Sequence, residues 1–404
     1  MGKTTRGRWV NAKLSAGLAR RHDCVALVLQ GGGALGAYQA GVYQELAGTP
    51  HELDWIAGVS IGAINAALIA GNPPERRIGR LSEFWHLVSS GMVLPAAMMP
   101  ASLWEKATSE LPHARSAFNQ FSALWSALLG IPGFYQPRIL PAWLRPDGTP
   151  EALSVYDTTP LRATLERLID FDLINSRKVR LSVGAVNVRS GNSQYFDNFD
   201  GDIIGPEHIM ASCALPPAFP PVTIAGEGYW DGGIVSNTPL QYVLDMRGKD
   251  SVLVFQIDLF SARGEQPVNL PGVQQRQKEI LYSSRTRYNS NMVAELVNAR
   301  KAILDVLLKL PAELRDDADV RQLCESLRTA PTDIVHLIYR RAAYELESND
   351  YEFSRESVLE HWQAGQCDLR DTLEHPDWLK SAGINAGVTQ YDLTRHSRPV
   401  LPLP

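Results

Sequence analysis

The chain has few of the residues that mark metal-binding and disulfide-rich proteins. It contains 4 cysteines in 404 residues, spaced so widely that no Cys-x-x-Cys pair occurs. This spacing predicts neither a metal site nor a disulfide framework. Cys24 and Cys213 lie in apolar stretches that are typical of buried thiols. We therefore expect a protein of the reducing cytoplasm that uses no metal and no other cofactor.

Positive charge is not in excess, and no targeting signal is evident. The net charge of −5 and the pI near 6.0 argue against nucleic acid as a partner. Residues 1–23 are basic but lack the apolar core of a secretory signal, so we predict a flexible tail there. Peripheral contact with an anionic membrane is the alternative. The apolar stretch 118–129 is too short to span a bilayer.

Apolar runs and glycine-rich turns alternate along the first part of the chain. Residues 24–30, 55–57 and 251–258 are apolar runs that predict buried strands. Glycine-rich turns follow the first two runs and lead into predicted helices over about 37–46 and 63–70. With 45% hydrophobic residues, the chain can bury one large core and still carry an extension.

Ser60 follows the second of these runs, in residues 58–62 (Gly-Val-Ser-Ile-Gly). Strand, tight turn and helix are the context that a nucleophile elbow requires. Gly58 and Gly62 allow the backbone to turn where a Cβ atom would clash, and the serine hydroxyl is left exposed at the helix N-terminus. Because glycine and serine are common in turns, this pattern alone is a weak indication.

A glycine loop follows the first predicted strand and contains Gly31, Gly32, Gly33 and Gly36. Consecutive glycines before a helix expose backbone N–H groups, so such a loop can hold a phosphate or stabilise an oxyanion. The spacing also fits a dinucleotide fingerprint, which needs an acidic residue at the end of the second strand. Asp54 comes at the start of that strand instead, which disfavours the dinucleotide interpretation.

A third motif, Asp-Gly-Gly at residues 231–233, follows Tyr229 and Trp230. Considered alone, Asp-Gly-Gly is most often a hairpin turn. Taken with the other motifs in this order, however, it resembles the patatin-like phospholipase family. The stretches that carry the resemblance are 31–36, 58–62, the Pro-rich 211–221, and 231–233.

The resemblance covers about residues 24–260 and a closing strand near 334–339. It implies a three-layer α/β/α sandwich with a mostly parallel central sheet, followed by a helical C-terminal extension. We accordingly divide the chain into a tail over 1–23, a hydrolase domain over 24–341 and an extension over 342–404.

The resemblance also implies a serine hydrolase that cleaves carboxylic esters of lipids with a serine–aspartate dyad. Ser60 would attack the ester carbonyl, Asp231 would take the proton, and water would hydrolyse the acyl-enzyme. Because the ordinary pKa of aspartate is about 3.9, burial has to raise it to make a useful base. The implied site comprises Ser60 and Asp231, the oxyanion loop Gly31, Gly32, Gly33 and Gly36 (chiefly the amides of Gly32 and Gly33), the elbow glycines Gly58 and Gly62, and Gly232 and Gly233.

The chain departs from the family pattern at Leu35. Many members of the family have Arg or Lys in the glycine loop, so Leu35 weakens the case for an anionic phospholipid substrate. Two alternatives stay open. The same chemistry can act on short acyl esters, thioesters or a hydroxyacid polyester, or the scaffold is catalytically idle and binds lipid or a partner.

A Ser-His-Asp triad is the alternative to the dyad. In an α/β-hydrolase the histidine comes last in the chain. His208 precedes Asp231, and His336 lies inside the apolar run 334–339, which is typical of a strand residue with its polar atoms satisfied. His361 and His375 lie in a polar stretch that predicts a helical tail, and His396 lies near an end that we expect to be disordered. None follows a strand in a glycine-rich loop, so the triad is disfavoured.

Three further segments carry weaker predictions. Residues 89–149 are rich in aromatics, methionine and proline and predict a lid or acyl-binding insertion, with an ordinary packed embellishment as the alternative. A helix over about 273–310, ended by Pro311, carries an apolar seam that indicates core packing, with a homodimer as the alternative. A helix over 351–362 is expected to dock on the main domain. The seam consists of Met292, Leu296, Ala299, Ile303, Val306 and Leu310, and the docking residues are Phe353, Val358, Leu359 and Trp362.

Overall fold

The structure is a computed structural model that describes residues 22–91, 112–327, 330–342, 344–345, 348–375 and 388–393. Most of the predicted N-terminal tail lies outside the described residues. Residues 92–111 of the predicted insertion and His396 also lie outside them. In the described ranges, no helix is long and apolar enough to cross a membrane.

A nine-stranded sheet forms the centre of the fold, in the order β11-β10-β9-β1-β2-β5-β8-β7, with β6 also paired to β5. The strands from β11 to β5 are all parallel, whereas β6, β7 and β8 are antiparallel to their neighbours. The predicted mostly parallel sheet is therefore confirmed. Its strands, together with the separate hairpin of β3 and β4, are β1 Cys24–Leu29, β2 Trp55–Val59, β3 Gln136–Pro137, β4 Tyr156–Asp157, β5 Arg180–Asn187, β6 Ser193–Asp197, β7 Val222–Ile224, β8 Glu227–Asp231, β9 Val252–Asp258, β10 Thr332–Ile338 and β11 Val388–Asp392.

Helices cover both faces of the sheet. Side chains alternate along β1, so Val25, Leu27 and Leu29 join one hydrophobic cluster while Cys24, Ala26 and Val28 join the other. This two-sided burial explains why the run of residues in β1 is continuously apolar. The sheet and the helices on its two faces form the predicted three layers. The α-helices of the described ranges are α1 Gly36–Leu46, α2 Ile61–Ala70, α3 Pro74–Val88, α4 Pro112–Leu129, α5 Thr159–Leu168, α6 Phe171–Asn175, α7 Pro206–Ser212, α8 Leu240–Met246, α9 Leu270–Leu307, α10 Ala312–Arg315, α11 Ala318–Leu327 and α12 Arg355–Glu374.

Helix α12 packs directly against α1, the helix that follows the glycine loop. A Cβ atom at Gly41 would lie 1.8 Å from the carbonyl oxygen of Trp362, and one at Gly365 would lie 2.1 Å from the carbonyl oxygen of Tyr38. The Tyr38 hydroxyl also donates to Asp368 Oδ2 at 2.8 Å. Glycine at both crossing points lets the two backbones approach this closely.

Some predicted packing of the C-terminal region differs from the structure. Phe353 and Val358 are buried as expected, but Leu359 is exposed because it lies on the outer face of α12. Helix α9 ends at Leu307, and Pro311 precedes the next helix rather than ending this one. The seam residues Leu296, Ile303 and Val306 are exposed, so the prediction of core packing is wrong for them.

Candidate active site

Ser60 occupies the sharp turn between β2 and α2. Its backbone angles are φ 56° and ψ −127°, a conformation that side chains rarely adopt. A Cβ atom at Gly58 would lie 2.3 Å from the carbonyl oxygen of Gly62, and one at Gly62 would lie 2.4 Å from that of Leu29. The two glycines are therefore required by close backbone contacts on either side of the serine.

The serine hydroxyl meets Asp231 at the end of β8. Ser60 Oγ donates to Asp231 Oδ2 at 2.6 Å, and Asp231 Oδ1 accepts from the amide of Gly233 at 2.7 Å. A Cβ atom at Gly232 would lie 2.5 Å from the carbonyl oxygen of Gly184, which explains the first glycine of the motif. Asp231 ends a strand paired to β5, and a 3-10 helix follows it, so Asp-Gly-Gly is not a hairpin turn here.

Burial sets the electrostatics of this pair. The Asp231 side chain belongs to a residue that is 3% exposed, and burial raises its pKa to about 6. The hydrogen bonds from Ser60 and Gly233 act in the opposite direction, because they favour the carboxylate. The net effect is a carboxylate that is ionised at neutral pH and more basic than an exposed aspartate.

The glycine loop lies beside the serine. A Cβ atom at Gly31 would approach Ser60 Cβ to 2.9 Å. The Gly31 amide donates to the carbonyl oxygen of Asn237, and the Gly36 amide bonds within its own helix start. The amides of Gly32 and Gly33 have no hydrogen-bond acceptor among the residues that the structure describes. These two amides are the donors that remain available to a ligand.

The conformation of the loop depends on the C-terminal region. Gly33 has φ +56°, and a Cβ atom there would lie 1.9 Å from the carbonyl oxygen of Asp350. The same oxygen accepts the amide of Ala34 at 2.7 Å. Lys278 Nζ lies 2.8 Å from Asp350 Oδ1, which ties this segment to α9. Neither Asp350 nor Lys278 lies in a recognisable sequence motif, so neither could be predicted as part of the site.

Gln30 joins the loop to three neighbouring elements. This residue is fully buried, and its Oε1 accepts the amides of Leu259 at 2.6 Å and Phe260 at 3.0 Å. Its Nε2 donates to Thr238 Oγ1 at 3.0 Å and to the carbonyl oxygen of Tyr282 at 3.3 Å. The carboxyl ends of β1 and β9, the start of α8 and helix α9 are thereby held at one point.

Ser212 and Cys213 complete the surroundings of Ser60. Ser212 Oγ accepts the amide of Ser60 at 2.9 Å and donates to the carbonyl oxygen of Gly184 at 2.6 Å. The thiol of Cys213 lies 3.2 Å from the carbonyl oxygen of Ser60. Both belong to the stretch 211–221 that carries the family resemblance, but their contacts could not be derived from residue types.

The positions of Asp54 and Leu35 bear on the dinucleotide interpretation and on the charge of the glycine loop. Asp54 Oδ2 accepts the amide of Val25 at 2.9 Å, at the start of β1. The glycine loop follows the other end of the same strand, so Asp54 cannot reach a nucleotide held there. Leu35 is buried in the hydrophobic core and brings no charge to the loop.

No histidine lies beside Ser60 among the described contacts. His336 is in β10, three strands from β2, which places it about 14 Å away. Its Nε2 has no hydrogen-bond partner in the described ranges, so the expectation of a satisfied strand residue is wrong. His208 accepts the amide of Gly205, and His361 is buried against Glu345 rather than in a polar tail. No group of three or more described His, Cys, Asp or Glu residues is placed to bind a metal ion.

The fold and this site define an α/β protein with a serine at a strand–helix turn, hydrogen-bonded to a buried aspartate. A model of the patatin-like phospholipase family matches residues 27–244, more than half of the chain, and a second model, described as patatin phospholipase, matches residues 280–383. The chain therefore belongs to the patatin-like phospholipase family, whose members are lipid ester hydrolases.

Two relatives match parts of the chain. The patatin-like phospholipase domain-containing protein M110.7 of Caenorhabditis elegans is 36% identical over 63 residues, which are 16% of this chain and 6% of that protein. Lysophospholipase NTE1 of Yarrowia lipolytica is 26% identical over 248 residues, 61% of this chain and 13% of that protein. The chain thus corresponds to a small part of each relative.

Two solved structures also match. VipD from Legionella pneumophila has a TM-score of 0.38 at 17% identity, with coverage of 86% of this chain and 66% of that chain. The type III effector ExoU has a TM-score of 0.24 at 15% identity, with coverage of 85% and 53%. Both scores are below 0.5, so the family assignment rests on the sequence match.

Proposed function

We propose that the protein hydrolyses carboxylic acyl esters of lipids through an acyl-enzyme on Ser60, with Asp231 as the general base. The observation that carries this proposal is the 2.6 Å hydrogen bond from Ser60 Oγ to Asp231 Oδ2, beside the amides of Gly32 and Gly33, which have no acceptor in the described part of the chain. Nucleophile, base and oxyanion donors are the three parts that ester hydrolysis needs.

In the first half of the reaction, Ser60 Oγ attacks the carbonyl carbon and its proton passes to Asp231 Oδ2. The carbonyl oxygen becomes an oxyanion and accepts hydrogen bonds from Gly32 and Gly33, each worth about 2.7–4 kcal/mol in comparable hydrolases. The C–O bond to the alcohol then breaks, and the departing oxygen takes the proton from Asp231. The acyl group remains on Ser60.

In the second half, Asp231 accepts a proton from water as the water oxygen attacks the acyl carbonyl. The tetrahedral intermediate collapses, the proton returns to Ser60 Oγ, and the fatty acid leaves. The raised pKa of Asp231, about 6, suits both halves of the reaction. The carboxylate accepts a proton more readily than that of an ordinary aspartate, yet it is still ionised at neutral pH. One ester and one water yield one acid and one alcohol.

Membership of the family supports a lipid as the source of the acyl group. Leu35 bears on the charge of the head group that this lipid carries. With a buried leucine in place of a cation, the glycine loop offers only neutral donors. Neutral acyl esters of lipids are thus the preferred substrates, ahead of anionic phospholipids. Short acyl esters, thioesters and hydroxyacid polyesters need the same chemistry, and a panel of these esters separates them.

The test is stoichiometric labelling by a long-chain fluorophosphonate of the wild type, Ser60→Ala and Asp231→Asn. We expect labelling of the wild type alone, at a rate that rises with pH through a midpoint of about 6 as Asp231 ionises. Asp147→Asn, a change at an exposed aspartate, is the matched control and should label normally.

Two outcomes would overturn the proposal. Labelling of Asp231→Asn at the wild-type rate would mean that another group is the base. If no form is labelled by either long- or short-chain probes, the scaffold is catalytically idle.

A further inference from the structure

The excursion between β3 and β4 carries an unusual concentration of exposed apolar side chains. Ile139 is 98% exposed, Trp143 81% and Leu144 65%. Side chains of this size normally bury, and contiguous apolar surface of this kind marks an interaction site. We call this surface the apolar rim, and it consists of Ile139, Leu140, Trp143, Leu144, Leu153 and Val155.

The two halves of the rim lie side by side. Strands β3 and β4 pair antiparallel at the base of the excursion. Above them, the Arg138 amide donates to the carbonyl oxygen of Val155, and the Arg138 guanidinium donates to Ser154 Oγ. The turns at 142–144 and 150–153 also contact each other, so Trp143 and Leu144 lie near Leu153 and the rim is one surface rather than scattered residues.

The rim is also connected to the active site. The amides of Val155 and Tyr156 donate to the carbonyl oxygens of Pro217 and Ala218. A few residues earlier, the same segment contacts the nucleophile through Cys213 Sγ and Ser60 O, and the carbonyl oxygen of Ala214 accepts the Asp231 amide. The rim thus lies on the side of the sheet where Ser60 is placed.

Apolar surface, and not charge, sets the kind of partner that this region favours. Within the excursion, Arg138 and Arg145 are balanced by Asp147 and Glu151, so it carries no net charge. Exposed tryptophan, leucine and isoleucine complement the acyl chains of a lipid interface. The chain also belongs to a family of lipid ester hydrolases, so a lipid surface is the partner that this apolar surface fits.

We infer that the apolar rim is an interfacial binding surface that inserts into a lipid bilayer and brings Ser60 to its substrate. This inference rests on the proposed function for the identity of the substrate, and it adds the place where the protein meets the lipid. The rim differs from the basic N-terminal tail, because its attraction to lipid is mainly apolar.

The experiment is co-flotation with vesicles of phosphatidylcholine and phosphatidylglycerol, performed in a Ser60→Ala background so that turnover does not alter the lipid. Ile139→Ser should lower vesicle partitioning about tenfold, and Trp143→Ser and Leu144→Ser should each lower it further by a similar factor. The matched control is Ile203→Ser, whose side chain is 72% exposed in the loop after β6, outside the rim. That control should bind vesicles like its parent.

Arg145→Gln tests the charge contribution, and it should reduce the preference for vesicles that contain phosphatidylglycerol. The thermal unfolding midpoint of each variant checks folding. Because these residues are exposed, we expect little change.

Three outcomes overturn the inference. The first is that the parent is not recovered with vesicles. The second is that the triple variant at Ile139, Trp143 and Leu144 partitions like the parent. The third is that light scattering shows a dimer that these substitutions dissociate. Failure of the proposed function looks different: wild-type Ser60 is not labelled, while vesicle binding through the rim persists.

Discussion

Replacing Asp231 with asparagine should stabilise the folded protein at neutral pH while abolishing the proposed reaction. The carboxylate is buried, and its pKa is raised from 3.8 to about 6. Asparagine has the same shape and no charge, and its amide can still accept from Gly233 and bond to Ser60. The substitution therefore removes the cost of burying a charge with little change in packing.

The size and sign of the effect follow from the two pKa values. In acid, below about pH 4, Asp231 is protonated in the folded and unfolded states, and asparagine gains little. Between about pH 4 and pH 6 the unfolded state has lost its proton while the folded state still holds it, so the folded protein loses stability as the pH rises through this range. Above pH 7 the cost reaches about 3 kcal/mol, at about 1.36 kcal/mol for each pKa unit between 3.8 and 6.

Urea unfolding of the wild type and Asp231→Asn between about pH 5 and pH 8 measures this difference. We expect the gain in free energy of unfolding to grow with pH and to level off near 3 kcal/mol. Asp147→Asn, at an exposed position, is the control and should show no such rise. An equal gain at every pH, or none at pH 8, would refute the assignment of Asp231 as a buried, destabilised base.

Three further predictions concern the surroundings of the dyad. Ser60→Gly should be about 1 kcal/mol more stable than Ser60→Ala in urea, because glycine adopts φ 56° without strain; equal stability would contradict strain at this turn. Lys278→Met should lower kcat about tenfold with little change in KM, because the ion pair between Lys278 and Asp350 positions the glycine loop. Lys278→Arg should restore kcat, and an equal loss of kcat in both variants would exclude this positioning role. Gly365→Ala should cost about 3 kcal/mol of unfolding free energy, since its Cβ atom would lie 2.1 Å from the carbonyl oxygen of Tyr38, and a neutral result would contradict the tight helix crossing.

The elements that were predictable from sequence are those whose cause is local. The run 24–30 alternates between two hydrophobic clusters, so a strand buried on both faces needs an apolar side chain at every position. The turn at Ser60 needs glycine two residues before and two residues after it, because backbone oxygens occupy the space of a Cβ atom. Short-range geometry of this kind leaves a direct trace in residue type.

The exposed seam of α9 could not be predicted from the same patterns. Leu296, Ile303 and Val306 have the spacing of a buried helix face, yet they are exposed. Periodicity shows that a helix has an apolar face, but not whether another element of the chain covers it. The prediction that Leu359 docks on the main domain was wrong for a related reason, since its neighbours Phe353 and Val358 take the buried positions.

The most consequential contact lacked a sequence signal for a different reason. The glycine loop is held by the backbone carbonyl of Asp350, and every residue has such a carbonyl. The amide of Ala34, which donates to this carbonyl, is likewise a backbone group that residue type does not reveal. Only the fold brings the two together, through the packing of α12 on α1 and the ion pair between Lys278 and Asp350.

These contacts make the C-terminal region part of the site. The first family match covers Ser60, Asp231 and the glycine loop, whereas Asp350 lies within the second match, at residues 280–383. The backbone at Gly33 has φ +56°, a conformation that would be strained for any residue other than glycine. The carbonyl oxygen of Asp350, which fills the space beside Gly33, helps to fix it. Removal of the region after residue 341 would therefore free the loop and expose the face of α1 that α12 covers. The oxyanion donors would then lose their alignment even though every residue of the proposed chemistry remained.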